Sequence, residues 1–114
     1  MKKLILLSIC IAAALSVHSE DRWQPTNDRL IRIDQRARKD WGNDTVRQRM
    51  QASKEYEALS SLYAFRPSEI SKADFEKIAD IVEAHFPQSY QLQYLYLQRL
   101  CLDYLLKGHV VVNQ

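Results

Sequence analysis

Cysteine is almost missing from this chain, and what remains cannot staple it. There are two, Cys10 and Cys101. Cys10 falls inside an N-terminal segment that reads as removable, so an internal disulfide is excluded and stability has to come from packing. Glycine is nearly as scarce, with Gly42 and Gly108 its only occurrences. A glycine-rich phosphate-binding loop needs several glycines close together, so that class of nucleotide site is excluded. Proline occurs three times, at Pro25, Pro67 and Pro87, always between apolar-periodic segments. Runs rich in β-branched residues are few. Helices punctuated by scarce breakers are the natural consequence.

The N-terminus carries an address. Met1-Lys2-Lys3 is basic, Leu4 to Val17 is uncharged and mostly apolar, and Val17-His18-Ser19 places small residues at peptidase spacing. The apolar run is shorter than the roughly 17–25 residues that a spanning helix requires. It therefore reads as a cleaved bacterial-type signal peptide over 1–19, with the protein working in the periplasm or outside the cell. A lipoprotein motif around Cys10 fails at Ile9, where a small residue is required. Lys2 and Lys3 leave with the signal, so the overall +2 charge falls to zero and a net electrostatic field drops out as a steering force. The remaining 20–114 is the length of one domain, with no linker, low-complexity tract or internal repeat.

Periodicity predicts an all-α fold, either a small four-helix bundle or a pair of helical hairpins. The first helix begins at Thr26 or Asn27, with Leu30, Ile33, Ala37 and Trp41 on one face. After the Gly42-Asn43-Asp44 break, Thr45 and Gln48 fit a capping box. The second helix reaches about Ala64, with Ala52, Tyr56, Leu59 and Tyr63 as its stripe. Ser71 caps the third, Ile70 and Phe75 form a staple, and Phe75, Ile78, Ala79, Val82 and Phe86 are its buried stripe. Ser89 caps the last helix, which closes at Lys107-Gly108. This helix is apolar twice over. Tyr90, Tyr94, Leu97, Cys101, Tyr104 and Leu105 gather on one side, and Leu92, Leu95, Leu102 and Leu106 on the opposite one. Such a helix is either central in its fold or faces a partner as well. Arg99 and Asp103, spaced i,i+4, can neutralise one another. Beyond Gly108, the tail Val110-Val111-Val112 either folds back on the helices or adds a strand elsewhere.

Catalytic and metal signatures are weak. Zinc sites need patterned Cys and His, and the processed chain has Cys101, His85 and His109. Asp80, Glu83 and His85 read as a solvated helix face with a boundary histidine. Cys101 sits mid-helix among tyrosines, where a cysteine behaves as a small hydrophobe rather than a nucleophile. No metal and no cofactor is implied. Two surface features remain. Arg29, Arg32, Arg36 and Lys39 recur at helical spacing and make a basic face able to hold anions, although Asp28, Asp34 and Asp40 lie close enough to pair. Tyr90, Tyr94, Leu97 and Tyr104 make an aromatic face suited to a protein interface.

The expectation is a small exported binding protein working through protein–protein contact in the cell envelope, as inhibitor, immunity factor, chaperone or accessory subunit. A homodimer through Cys101 or the last helix fits the same reading. Nucleic acid is excluded as a partner by export and by the lack of aromatics interleaving the basic face. The rivals are a small exported enzyme acting on envelope material, and a structural or anionic-lipid-associated component using the basic face.

Overall fold

The computed structural model describes residues 22–111. The proposed signal peptide and the last residues of the valine tail lie outside that range. Among the described residues there are four helices and no strand: α1 (Asn27–Trp41), α2 (Thr45–Ala64), α3 (Lys72–His85) and α4 (Tyr90–Lys107). The all-helical expectation holds. Among the described residues no helix is long and apolar enough to cross a membrane.

The helix ends follow from local chemistry. Thr26 caps α1 by accepting from the Arg29 N–H, and the Gly42 N–H closes it on the Arg38 carbonyl. The cap of α2 is Asp44, not Thr45: its side chain accepts from the Arg47 N–H at 3.0 Å. A carboxylate one residue upstream is the stronger acceptor there. The Gln48 side chain turns to the Gly42 carbonyl instead of completing a capping box. Ser71 and Ser89 cap α3 and α4 as their spacing predicts. Gly108 ends α4 at φ 77°, a left-handed conformation that glycine adopts without a Cβ clash, with its N–H on the Tyr104 carbonyl.

The helices form two hairpins, α1–α2 and α3–α4, joined along α2 and α4. Because α2 packs on both α1 and α4, it needs a broad buried face. Ala52, Glu55, Ala58, Leu59 and Leu62 supply it. Ala52 and Leu59 of the expected stripe are buried, whereas Tyr63 is exposed and Leu62 takes the buried place. Phe75, Ile78, Ala79 and Val82 bury the inner side of α3, with Ile70 in the same core. On α1, Ile33 and Ala37 are buried and Leu30 packs beside them. Trp41 stays exposed, its indole donating to Gln51 and stacked under Arg47.

One core residue precedes every helix. Trp23 is buried among α3 and α4, edge-on to Phe75, and its Nε1 donates to Gln93 Oε1 at 2.8 Å. Arg22 beside it holds three carboxylates of α3: Glu76 at 2.9 Å, Asp80 at 2.7 Å and Glu83 at 2.8 Å. Burial alone would lower the Arg22 pKa, but the hydrogen bonds it donates to Asp80, Glu83 and Glu76 outweigh it and raise it. The segment just after the proposed signal is thus clamped across the second hairpin. At the other end, Val110 folds back against the core.

Candidate functional site

The candidate site is the outer face of α4, and it exists because the inner face is held so firmly. Glu55 reaches across from α2 to the first turn of α4. Its buried carboxylate accepts from the Tyr90 N–H at 2.8 Å, the Gln91 N–H at 3.2 Å and the Gln91 side-chain amide at 3.1 Å. A charge at a helix N-terminus satisfies donors that the helix itself cannot. One turn on, Gln93 is locked between the Trp23 indole and the Phe86 carbonyl. Near the C-terminus, the Tyr104 hydroxyl donates to Asp74 of α3 at 2.7 Å. That hydrogen bond, then burial, raises the Tyr104 pKa. With Leu97, Leu100 and Cys101 buried between these fixtures, the contacts set which face of α4 turns inward.

The opposite side of α4 therefore faces out. Leu92 is 45 % exposed, Leu95 63 %, Leu102 56 % and Leu106 75 %. With Arg99 they follow a 3-4-3-4 spacing, the a/d seam of a heptad. At 100° per residue they lie almost diametrically opposite Leu97 and Leu100. Leu105, also exposed, widens one flank. Arg99 and Asp103 form no ion pair with each other, contrary to the i,i+4 expectation, and neither pairs with another described residue. The seam thus carries one unneutralised positive and one unneutralised negative charge.

The tyrosine face has a different place from the one its composition suggests. Leu97 is wholly buried and cannot touch a partner without unfolding. Tyr90, Tyr94 and Tyr104 are half-buried against the core, and Tyr94 meets Phe65 edge-on. Burial raises the Tyr90 pKa, countered in part by Arg29. The two apolar faces of α4 are divided: the tyrosines with Leu97, Leu100 and Cys101 toward the core, and Leu92, Leu95, Leu102 and Leu106 toward solvent.

The basic face of α1 is partly engaged. The Arg29 guanidinium donates to the Gln24 carbonyl at 2.7 Å, and Arg36 lies 3.6 Å from Asp40. Arg32 and Lys39 are exposed. Arg32 and Arg36 border a cleft of about 470 Å³, opposite Glu55, Ser89 and Tyr90. Two carboxylates line that cleft: Glu55, occupied by the start of α4, and Asp40, which accepts from the Gln51 side chain at 2.9 Å and lies beside Arg36. A second cleft, of about 460 Å³, lies between Tyr63, Arg66, Ile70 and Phe75, with Arg66 stacked over Phe75.

The remaining candidates for chemistry are dispersed. Asp80 and Glu83, read from sequence as solvated, are claimed by Arg22. His85 bonds the Ile81 carbonyl and stacks near Tyr96. Among the described residues no group of His, Cys, Asp and Glu converges as metal ligands. Cys101 is buried on the inner face of α4, and burial pushes its pKa up to about 11. A Cys101–Cys101 bridge between two chains would require displacing the helix, so that route to a dimer is closed. Comparison with known proteins gives no match to a family model, a curated protein or a solved structure.

Proposed function

We propose that this is an exported helical module of the cell envelope that works by protein–protein contact through the outer face of α4. The observation carrying this reading is the seam of Leu92, Leu95, Leu102 and Leu106, left in water on a helix whose buried side-chain polar atoms are all hydrogen-bonded among the described residues. Burying a leucine side chain is worth about 1.5–3 kcal/mol. Four aligned leucines are therefore a strong drive to associate. Scattered exposed leucines would need no explanation, whereas leucines aligned on one helix face, here on either side of Arg99, mark an interaction surface.

The N-terminal leader supports export, and the clamp by Arg22 and Trp23 fits a cut upstream of both. The basic face of α1 is a weaker basis for function, since Arg29 and Arg36 are engaged within the chain. An enzymatic reading has less support still: of the two carboxylates lining the cleft beside Arg32, Glu55 serves as a helix cap and Asp40 is engaged by Gln51 and Arg36.

The test is a paired substitution, Leu95→Glu with Leu102→Glu. Both positions are solvent-facing, so the helical signal and melting temperature are expected to hold while recovery of partners from native envelopes is lost. Unchanged recovery would refute the reading. Tyr94→Ala is the counter-experiment: it is expected to lower stability, because that ring packs on the core.

A further inference from the structure

One surface feature specifies its own complement. Between Gln91 and Leu106, Arg99 and Asp103 are the only charged residues. Arg99 sits in the middle of the leucine seam, and Asp103 flanks it one turn later on the same edge. Tyr96 shares that edge, and Gln91 and Gln98 line the other, all uncharged. We propose that the occupant of this face is a second copy of the chain, with its α4 packed antiparallel against the first. The proposal rests on the reading of that face as a contact surface and names its partner.

The charges decide between orientations. In a parallel pair, identical heptad positions meet, so Arg99 would face Arg99 inside the seam, and like charges in contact are unfavourable. In an antiparallel pair, a positions meet d positions. Leu95 then packs on Leu106 of the second copy and Arg99 lies over Leu102. A two-fold axis keeps the same edge of both helices on one side. Arg99 of each copy consequently meets Asp103 of the other at nearly the same height along the helices, twice per dimer. One positive and one negative charge, unpaired in the monomer, become two ion pairs. The alkyl stem of Arg99 lies along Leu102 while its guanidinium reaches the edge. A patch that complements itself under two-fold rotation is what an isologous dimer requires.

The leucine seam is short. Leu92 to Leu106 spans about 21 Å at 1.5 Å per residue. Reversible association in the micromolar range is expected rather than an obligate dimer.

Sedimentation equilibrium of the exported, processed protein over a wide concentration range tests this. Wild type is expected to shift reversibly from monomer to dimer mass. Leu102→Glu is expected to remain monomeric with its helical signal unchanged. Arg99→Asp and Asp103→Arg, separately, are each expected to weaken the dimer by about tenfold, and the double exchange to restore it. A wild type that stays monomeric to about 0.5 mM would overturn the proposal. So would a dimer indifferent to Leu102→Glu, or a double exchange that fails to restore association. A monomer that still captures another envelope protein through the leucine face would sink the dimer and leave the functional reading standing.

Discussion

The Trp23 indole donates its N–H to the Gln93 side-chain carbonyl at 2.8 Å, and both side chains are buried. The Gln93 amide in turn donates to the Phe86 carbonyl at 2.7 Å. A residue outside the helices thus fixes the middle of the α3–α4 hairpin. Trp23→Ala is expected to cost about 3–5 kcal/mol through lost packing. Gln93→Leu is expected to cost about 1–3 kcal/mol, because it leaves the buried Trp23 indole N–H unpaired and the Phe86 carbonyl with only its longer bond from the Ser89 N–H. Urea unfolding followed by circular dichroism measures both. A loss below about 1 kcal/mol for Trp23→Ala would show that the segment is not part of the folded core.

The same clamp constrains processing. A cut between Ser19 and Glu20 leaves Arg22 on its three carboxylates and Trp23 in its slot; a cut beyond Trp23 removes both. The mature N-terminus is therefore expected at or near Glu20, read by terminal sequencing or intact mass. Arg22→Ala is expected to cost about 1 kcal/mol, with a smaller effect at high salt as repulsion among Glu76, Asp80 and Glu83 is screened. A mature chain starting after Trp23 would remove the basis for this clamp.

Glu55 joins the two hairpins through the first turn of α4. Glu55→Ala strips the acceptor from two backbone N–H groups and is expected to cost roughly 2–3 kcal/mol. Glu55→Gln keeps one acceptor oxygen but loses the charge, so a smaller loss is expected. Equal losses from both variants, in denaturant titrations, would show that shape rather than charge-assisted bonding holds this junction.

Cys101 is expected to be inert. In the folded protein, thiol reagents at pH 8 should react far more slowly than in urea. Its folded pKa of about 11 lies above the ordinary value of 9.0. The folded state therefore holds the proton more tightly, and this contribution is present below pH 9 and lost as pH rises from 9 through 11. Tyr56, pushed up to about 12 by burial and its bond to Asp34, acts in the same direction at higher pH. Stability should fall on the alkaline side, less steeply in Cys101→Ala. Rapid labelling of native protein, or a covalent dimer on a non-reducing gel, would contradict the buried placement.

Much of this fold was legible because helix ends are written locally. Ser71, Ser89, Pro67, Pro87 and Gly108 act within three or four residues of themselves, which is the range periodicity and capping rules cover. The exception at α2 is a contest between adjacent caps, Asp44 and Thr45, settled by charge. Long-range partners left no local trace. Trp23 lies in no periodic segment, Glu55 resembles any surface glutamate, and Arg22 meets carboxylates more than fifty positions away. The division of α4 was half legible. Two opposed apolar faces are visible in sequence, but their assignment depends on what each can bond. Tyr104 finds Asp74, Gln93 finds Trp23, and the face bearing them turns inward. The leucines, with no polar group to satisfy, are left outside.

The most direct test of the leucine face is made in the living envelope. A photo-crosslinking residue is placed at Leu102, and separately at exposed Lys54 on α2, in the full-length protein produced in cells. A discrete crosslinked product is expected from Leu102 and none from Lys54, with twice the monomer mass if the partner is a second copy. If Leu102 yields no product while the protein is folded and exported, the outer face of α4 is not a contact surface.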